Sequence, residues 1–135
     1  MEKLLEEDIK GHIGTQKYKC TITWRKGTFY MDEPPSIEGQ DLGPDPFTAL
    51  LASLASCTLS TLRMYIDRKG WDIPEINISL NLTQETDSEL TTTISRTISF
   101  STFIDEDIKK RLLVIAEKCP ISKILKNKIL INTTL

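Results

Sequence analysis

The sequence predicts an α+β domain in which antiparallel β-sheet wraps around one buried central helix. Three observations carry that expectation. An uncharged run from Phe47 to Leu62 lies between helix start and stop signals. Segments on both sides of it alternate apolar and polar residues with the period of two that a half-buried strand requires. A second helical stripe, apolar on one side only, follows them. The resulting order, β-β-α-β-β-α-(α)-β, suits sheet and helices sharing one core.

With 135 residues the chain is expected to form a single domain, 1–135, with a core large enough to stand without disulfides. A formal net charge of −2 and a pI near 5.5 leave no basic footprint, so no nucleic-acid partner is expected. The opening Met-Glu-Lys-Leu-Leu-Glu-Glu-Asp has no signal-peptide stretch, which makes a cytoplasmic location the expectation. Three cysteines do not form a disulfide framework. With His12 as the single histidine and no Cys-x-x-Cys pair, neither a metal nor another bound cofactor is expected. The cysteines then either pack as small hydrophobes or carry thiol chemistry.

Residues 1–16 are ambiguous: Leu4, Leu5, Ile9 and Ile13 fit a short amphipathic helix that Gly11 and Gly14 interrupt. From Lys17 the period becomes two, with Tyr18, Cys20, Ile22 and Trp24 on one face. Arg25-Lys26-Gly27 is a turn signal, and Thr28 to Met31 returns as a second strand. A Pro- and Gly-rich loop from Asp32 to Pro44 follows. Its length is of the kind often given to function. Asp45 is placed to cap the free N–H groups of the central helix, and Pro46 suits its first position. Arg68, Lys69 and Gly70 are the stop, two cations in the last turn and then a residue free to turn left-handed. A membrane span needs roughly 20 mostly apolar residues. The uncharged run is shorter and holds six Ser or Thr, so it reads as a core helix and no membrane is expected.

Ile76, Ile78, Leu80 and Leu82 then alternate with polar residues. A polar turn from Gln84 to Glu89 leads into Leu90, Thr92, Ile94, Arg96, Ile98 and Phe100 on one face of the next strand. Asp105 and Glu106 start a second helix, with Ile108, Leu112, Ile115, Ala116 and Cys119 on one stripe. Pro120 breaks it, Ile121 to Lys126 forms one more short turn, and Ile129 to Thr134 is expected to be a last strand.

Four side chains are candidates for chemistry. Cys57 stands in the most apolar helix, roughly three turns from its start, too far in for the helix dipole to favour a thiolate. The plainer account is that it packs like an alanine. Reactivity would need a cation, and the nearest, Arg63, lies on a different face. Cys119 closes the second apolar stripe and could meet Cys57 if both helices bury their apolar faces; it too could simply pack. Cys20 points inward with its strand. Arg25 sits at a hairpin tip, where solvent is the usual fate. Arg96 falls on the apolar face of its strand, where a charge stands at the rim or pairs with a carboxylate.

The stretch Gly43-Pro-Asp-Pro-Phe-Thr-Ala-Leu-Leu-Ala-Ser-Leu-Ala-Ser-Cys57, continuing to Trp71, and the segment Lys118-Cys119-Pro-Ile-Ser-Lys-Ile-Leu125 resemble the OsmC/Ohr family of osmotically inducible and organic hydroperoxide resistance proteins. The closer likeness is to the OsmC-like branch, to which Asp32-Glu33-Pro34 and Gly39-x-Asp41 are also similar. The likeness runs from about Tyr18 to the C-terminus.

The resemblance implies an OsmC-like fold, an intertwined homodimer with its sites at the subunit interface, and a thiol-dependent peroxidase. It implies that Cys57 attacks an organic hydroperoxide and becomes a sulfenic acid, and that Cys119 resolves it as a disulfide for an external dithiol to reduce. An arginine of the first hairpin loop would activate the thiolate, and Arg25-Lys26-Gly27 is similar to that context. Arg96 is the second candidate for that cation. Two departures stand out. Phe47 and Thr48 occupy the positions where the family holds its arginine with a glutamate, and Ser122 replaces a frequent histidine. The alternatives are a non-catalytic dimer binding an apolar small molecule and a redox-sensing module.

Overall fold

The computed structural model describes residues 2–135. The chain divides into two compact units whose sequence boundary falls between Leu50 and Leu51.

The first unit is built on a three-stranded antiparallel meander: β1 (Lys10–Ile13), β2 (Cys20–Trp24) and β3 (Gly27–Met31). The expected hairpin is β2–β3, with Trp24 opposite Gly27 and Cys20 opposite Met31. Strand β1 corrects the reading of residues 1–16. Gly11 within it and Gly14 just after it disfavour helix, and His12 pairs with Thr21 while Ile13 pairs with Cys20. Ile13, Trp24, Phe29 and Tyr30 stay well exposed in the single chain.

The loop after β3 is organised by one buried carboxylate. Asp32 Oδ1 accepts from the backbone N–H groups of Tyr18 (3.1 Å) and Glu33 (2.7 Å). Its Oδ2 accepts from those of Gln40 (3.3 Å) and Leu42 (3.2 Å). Burial would raise the Asp32 pKa, but these four donors outweigh it and hold the group below the usual carboxylate range. Within the loop a 3-10 turn spans Pro35–Ile37. Gly39 passes so close to the Glu33 backbone that a Cβ there would collide with the carbonyl.

Helix α1 (Pro46–Lys69) begins as its capping residues dictate. Asp45 accepts from the Phe47 N–H at 3.1 Å and from the Thr48 hydroxyl. It ends at Gly70, whose φ of 71° is the left-handed stop, with Trp71 N–H returning to the Ile66 carbonyl at 3.2 Å.

The second unit gathers its core around α1. Leu62, Tyr65 and Ile66 pack with Ile73, Ile104, Leu112, Ile115 and Ala116, and Ile76, Ile98 and Phe100 close one side. The last three come from a long antiparallel hairpin, β4 (Ile76–Thr86) and β5 (Leu90–Phe100), with Leu80 opposite Arg96. Helix α2 (Glu106–Ala116) turns its predicted stripe onto this core. After a short turn Pro120 opens helix α3 (Pro120–Leu125). Arg63 is fixed away from the thiols, donating to Asp67 (3.1 Å) and to the Ile73 carbonyl (2.7 Å).

The strand expected over Ile129 to Thr134 is not formed. Those residues run without regular structure and exposed, Leu130 at 74% and Ile131 at 85%. An alternating pattern makes a strand only where a neighbour takes its backbone hydrogen bonds. Among the described residues this segment finds none.

Candidate functional site

The two cysteines singled out in the sequence come together in the second unit. Cys57, half-buried on α1, and Cys119, fully buried at the start of α3, are neighbours close enough that each shifts the ionisation of the other. Cys57 reaches this point because its helix buries Leu54, Thr58 and Leu62 on an adjoining face. Cys119 reaches it because Pro120 ends the run of α2 and restarts the chain as α3.

Cys119 is the N-cap of α3. The Ser122 N–H donates to its sulfur at 3.5 Å, and the Thr58 hydroxyl stands 3.9 Å from it. Burial alone would push this thiol up. The hydrogen bonds from Cys57, from the Ser122 N–H and hydroxyl and from Thr58 bring it down to about 7. Cys57 moves the other way. Burial raises its pKa first, and the neighbouring Cys119 sulfur raises it again. The Ile121 N–H and the Thr61 hydroxyl offset only part. As the second unit stands, the negative charge of the pair belongs on Cys119.

Arg96 lies directly behind this pair. Alternation along β5 carries it inward, and only 12% of its side chain is exposed. One guanidinium nitrogen, Nη1, donates to Thr58 Oγ1 and to Ser122 Oγ, both at 2.8 Å. The other, Nη2, pairs with Glu117 Oε1 at 3.3 Å. Glu117 is also paired with Lys126, and these cations, Lys126 foremost, hold its carboxyl below the usual range. The sequence expectation that an inward arginine pairs with a carboxylate is met by Glu117. Thr58, Ser122, Glu117 and Lys126 escaped the sequence reading. The one available signal was the replacement at Ser122.

Arg25 and Cys20 belong to the first unit. Arg25 sits in the β2–β3 turn with its guanidinium over the Trp24 ring, 5.4 Å from the centroid. The Cys20 thiol donates to the Tyr18 carbonyl at 3.6 Å.

Beside Arg96 the second unit opens an apolar cavity of about 510 Å³, lined by Leu62, Ile98, Phe100, Leu112 and Leu113 among others, with Arg96 and Glu117 in its wall.

The sequence profile of the OsmC-like protein family matches residues 39–134, from the Asp32 loop through both cysteines to the tail. The chain belongs to the OsmC-like protein family. No curated protein sequence matches it. Solved structures similar to this OsmC-like chain include the OsmC like protein of Mycoplasma pneumoniae, 20% identical with a TM-score of 0.70 over 93% of this chain and 89% of that one. Another is the organic hydroperoxide resistance protein OsmC of Legionella pneumophila, 15% identical with a TM-score of 0.69 over 93% and 92%. A third is the organic hydroperoxide resistance protein OhrB of Bacillus subtilis, 18% identical with a TM-score of 0.65 over 92% and 93%. At these identities the likeness establishes the α+β OsmC fold, with its antiparallel sheets and helices, and nothing finer.

Proposed function

We propose that this OsmC-like protein is a thiol-dependent peroxidase acting on organic hydroperoxides, with Cys57 attacking and Cys119 resolving. The observation that carries the reading is the meeting of the half-exposed Cys57 with the buried Cys119, from separate helices, near enough for each to shift the ionisation of the other. In the first step the Cys57 thiolate attacks the terminal peroxide oxygen. The O–O bond breaks, the alkoxide leaves and takes a proton as the alcohol, and Cys57 becomes a sulfenic acid. In the second step the Cys119 thiolate attacks the Cys57 sulfur. Hydroxide leaves and is protonated to water, and a Cys57–Cys119 disulfide remains. An external dithiol then reduces it by exchange.

The first step needs a cation, because the second unit alone holds Cys57 as the neutral thiol. Arg25 is the candidate, on the strength of its Arg-x-Gly turn. The reading places this chemistry in a cytoplasmic homodimer. Support for the second copy comes from apolar side chains left open in the single chain, among them Phe29, Met64, Leu130 and Ile131.

A second reading, a binding module for an apolar small molecule, is favoured by the apolar cavity beside Arg96. One assay separates the two readings. The reduced protein should consume an alkyl hydroperoxide with a dithiol present, Cys57→Ser should consume none, and Cys119→Ser should complete a single turnover. Failure of the wild-type protein to consume any hydroperoxide tested, together with saturable binding of an apolar ligand, would replace the peroxidase with the binding module.

A further inference from the structure

We propose that Arg96 is a positioning residue for the second thiol: by occupying the Thr58 and Ser122 oxygens it turns both hydroxyls onto Cys119 and prepares that sulfur to attack the Cys57 sulfenic acid. This rests on the peroxidase reading and assigns Arg96 to the resolving step rather than to peroxide attack.

A guanidinium has donors only, so each hydroxyl that meets Arg96 must present a lone pair to it and aim its own proton elsewhere. The Ser122 hydroxyl, 2.8 Å from Nη1, is thereby left to donate elsewhere, and the acceptor beside it is the Cys119 sulfur, which already takes the N–H of the same residue at 3.5 Å. The Thr58 hydroxyl has one proton and two acceptors, the Leu54 carbonyl at 2.7 Å and Cys119 Sγ at 3.9 Å. While the sulfur is neutral the carbonyl is the better acceptor. As charge builds on the sulfur the proton can swing to it without Thr58 losing its bond from Arg96. Donation from a cation also polarises both hydroxyls and strengthens what they give.

Glu117 pairs with the far side of the guanidinium, and Lys126 pairs with Glu117. The charged and titratable groups around Cys119 are therefore Cys57 from α1, Arg96 from β5, Glu117 from the end of α2 and Lys126 from the end of α3. The protein so assembled has a sulfur prepared for a step that needs a thiolate, at a position fully buried from solvent. At pH 7 a thiol of ordinary pKa, about 8.5, is only about 3% ionised, whereas one near 7 is about half ionised. A lowering of that size multiplies the nucleophile about tenfold or more.

The test follows the two chemical steps separately in the full-length protein. Stopped-flow measurement with an alkyl hydroperoxide reads sulfenic acid formation and disulfide formation in turn, and a sulfenic-acid trap reads what accumulates on Cys57. Arg96→Met should slow disulfide formation about tenfold at pH 7, move the pH midpoint of that step upward and let trapped sulfenic acid accumulate. Arg96→Lys should restore part of the rate, since an ammonium can meet one hydroxyl but not both in the same geometry. Should Arg96→Met fold poorly, the shape-preserving Thr58→Val and the Ser122→Ala variants carry the same expectation in smaller measure.

A second readout does not depend on peroxidase activity. In a Cys57→Ser background, the ultraviolet thiolate absorbance of Cys119 should titrate higher once Arg96→Met is added. If that titration moves while the wild-type protein consumes no hydroperoxide, the network stands and the peroxidase reading fails. If the titration does not move, or if Arg96→Met slows sulfenic acid formation and leaves disulfide formation untouched, the positioning role is overturned.

Discussion

The backbone N–H of Ser122 donates to Cys119 Sγ at 3.5 Å, so that a sulfur atom caps helix α3. A capping acceptor is more effective as an anion. This ties the ionisation of Cys119 to the stability of the second unit. Its folded pKa, about 7, lies below the unfolded value of about 8.5, so it contributes stability that is complete above the unfolded value and lost as pH falls through the folded one. Cys57, raised on folding, runs the other way: its contribution is complete below the unfolded value and is lost as pH climbs through its folded one. The unfolding free energy of the reduced protein, measured in urea, should therefore rise between about pH 7 and 8.5, by about 2 kcal/mol at most, and then decline. Cys119→Ala should flatten the rise.

Arg25→Ala is expected to slow peroxide attack by Cys57 more than about tenfold, a transition-state loss of roughly 1.4 kcal/mol or more. Arg25→Lys should recover only part of it. The pH dependence of Cys57 alkylation checks the cause, because loss of the cation should move the titration upward. An unmoved titration would remove Arg25 from the site.

Asp32→Asn should destabilise the first unit although the two side chains have nearly the same shape. Each carboxylate oxygen accepts from two backbone N–H groups, and either orientation of an amide sets an NH₂ against one of those pairs. A lowered thermal midpoint and faster proteolysis within residues 33–42 would report it. Because the Asp32 pKa is lowered, its contribution is present above the ordinary carboxylate pKa and is lost as pH falls through the folded value.

Sedimentation at micromolar concentration should find a dimer. Ile131→Asp should weaken it, since Ile131 is 85% exposed in the single chain and is expected to gain a neighbour in the pair. A stable monomer with native spectra would oppose the dimer reading.

Features set by neighbours in sequence were the ones legible beforehand. The start of α1 follows from Asp45 and Pro46 and its end from Gly70, because caps act within one turn. The β2–β3 and β4–β5 hairpins follow from alternation and short polar turns, and the same alternation pointed Arg96 inward. Strand β1 was not legible: its four residues include one glycine and owe their form to pairing with β2. The tail from Ile129 had the right alternation, but a strand is a property of two segments and the pattern belongs to one. The roles of Thr58 and Ser122 were hidden for a third reason, although Ser122 itself stood out as a replacement. Their hydroxyls acquire meaning only from a guanidinium that reaches them from 38 and 26 residues away.

A sulfur that caps a helix has one further consequence, which concerns motion. In a Cys57–Cys119 disulfide the capping atom would lose its charge and become a poor acceptor, so α3 would be released at its first turn in the act of being tied to α1. The six residues of α3 would then be held by a covalent stitch instead of an electrostatic one. Amide hydrogen exchange at Ser122 and Lys123 would quicken on oxidation and slow again on reduction. A reducing partner could tell spent protein from fresh by the looseness of one helical turn.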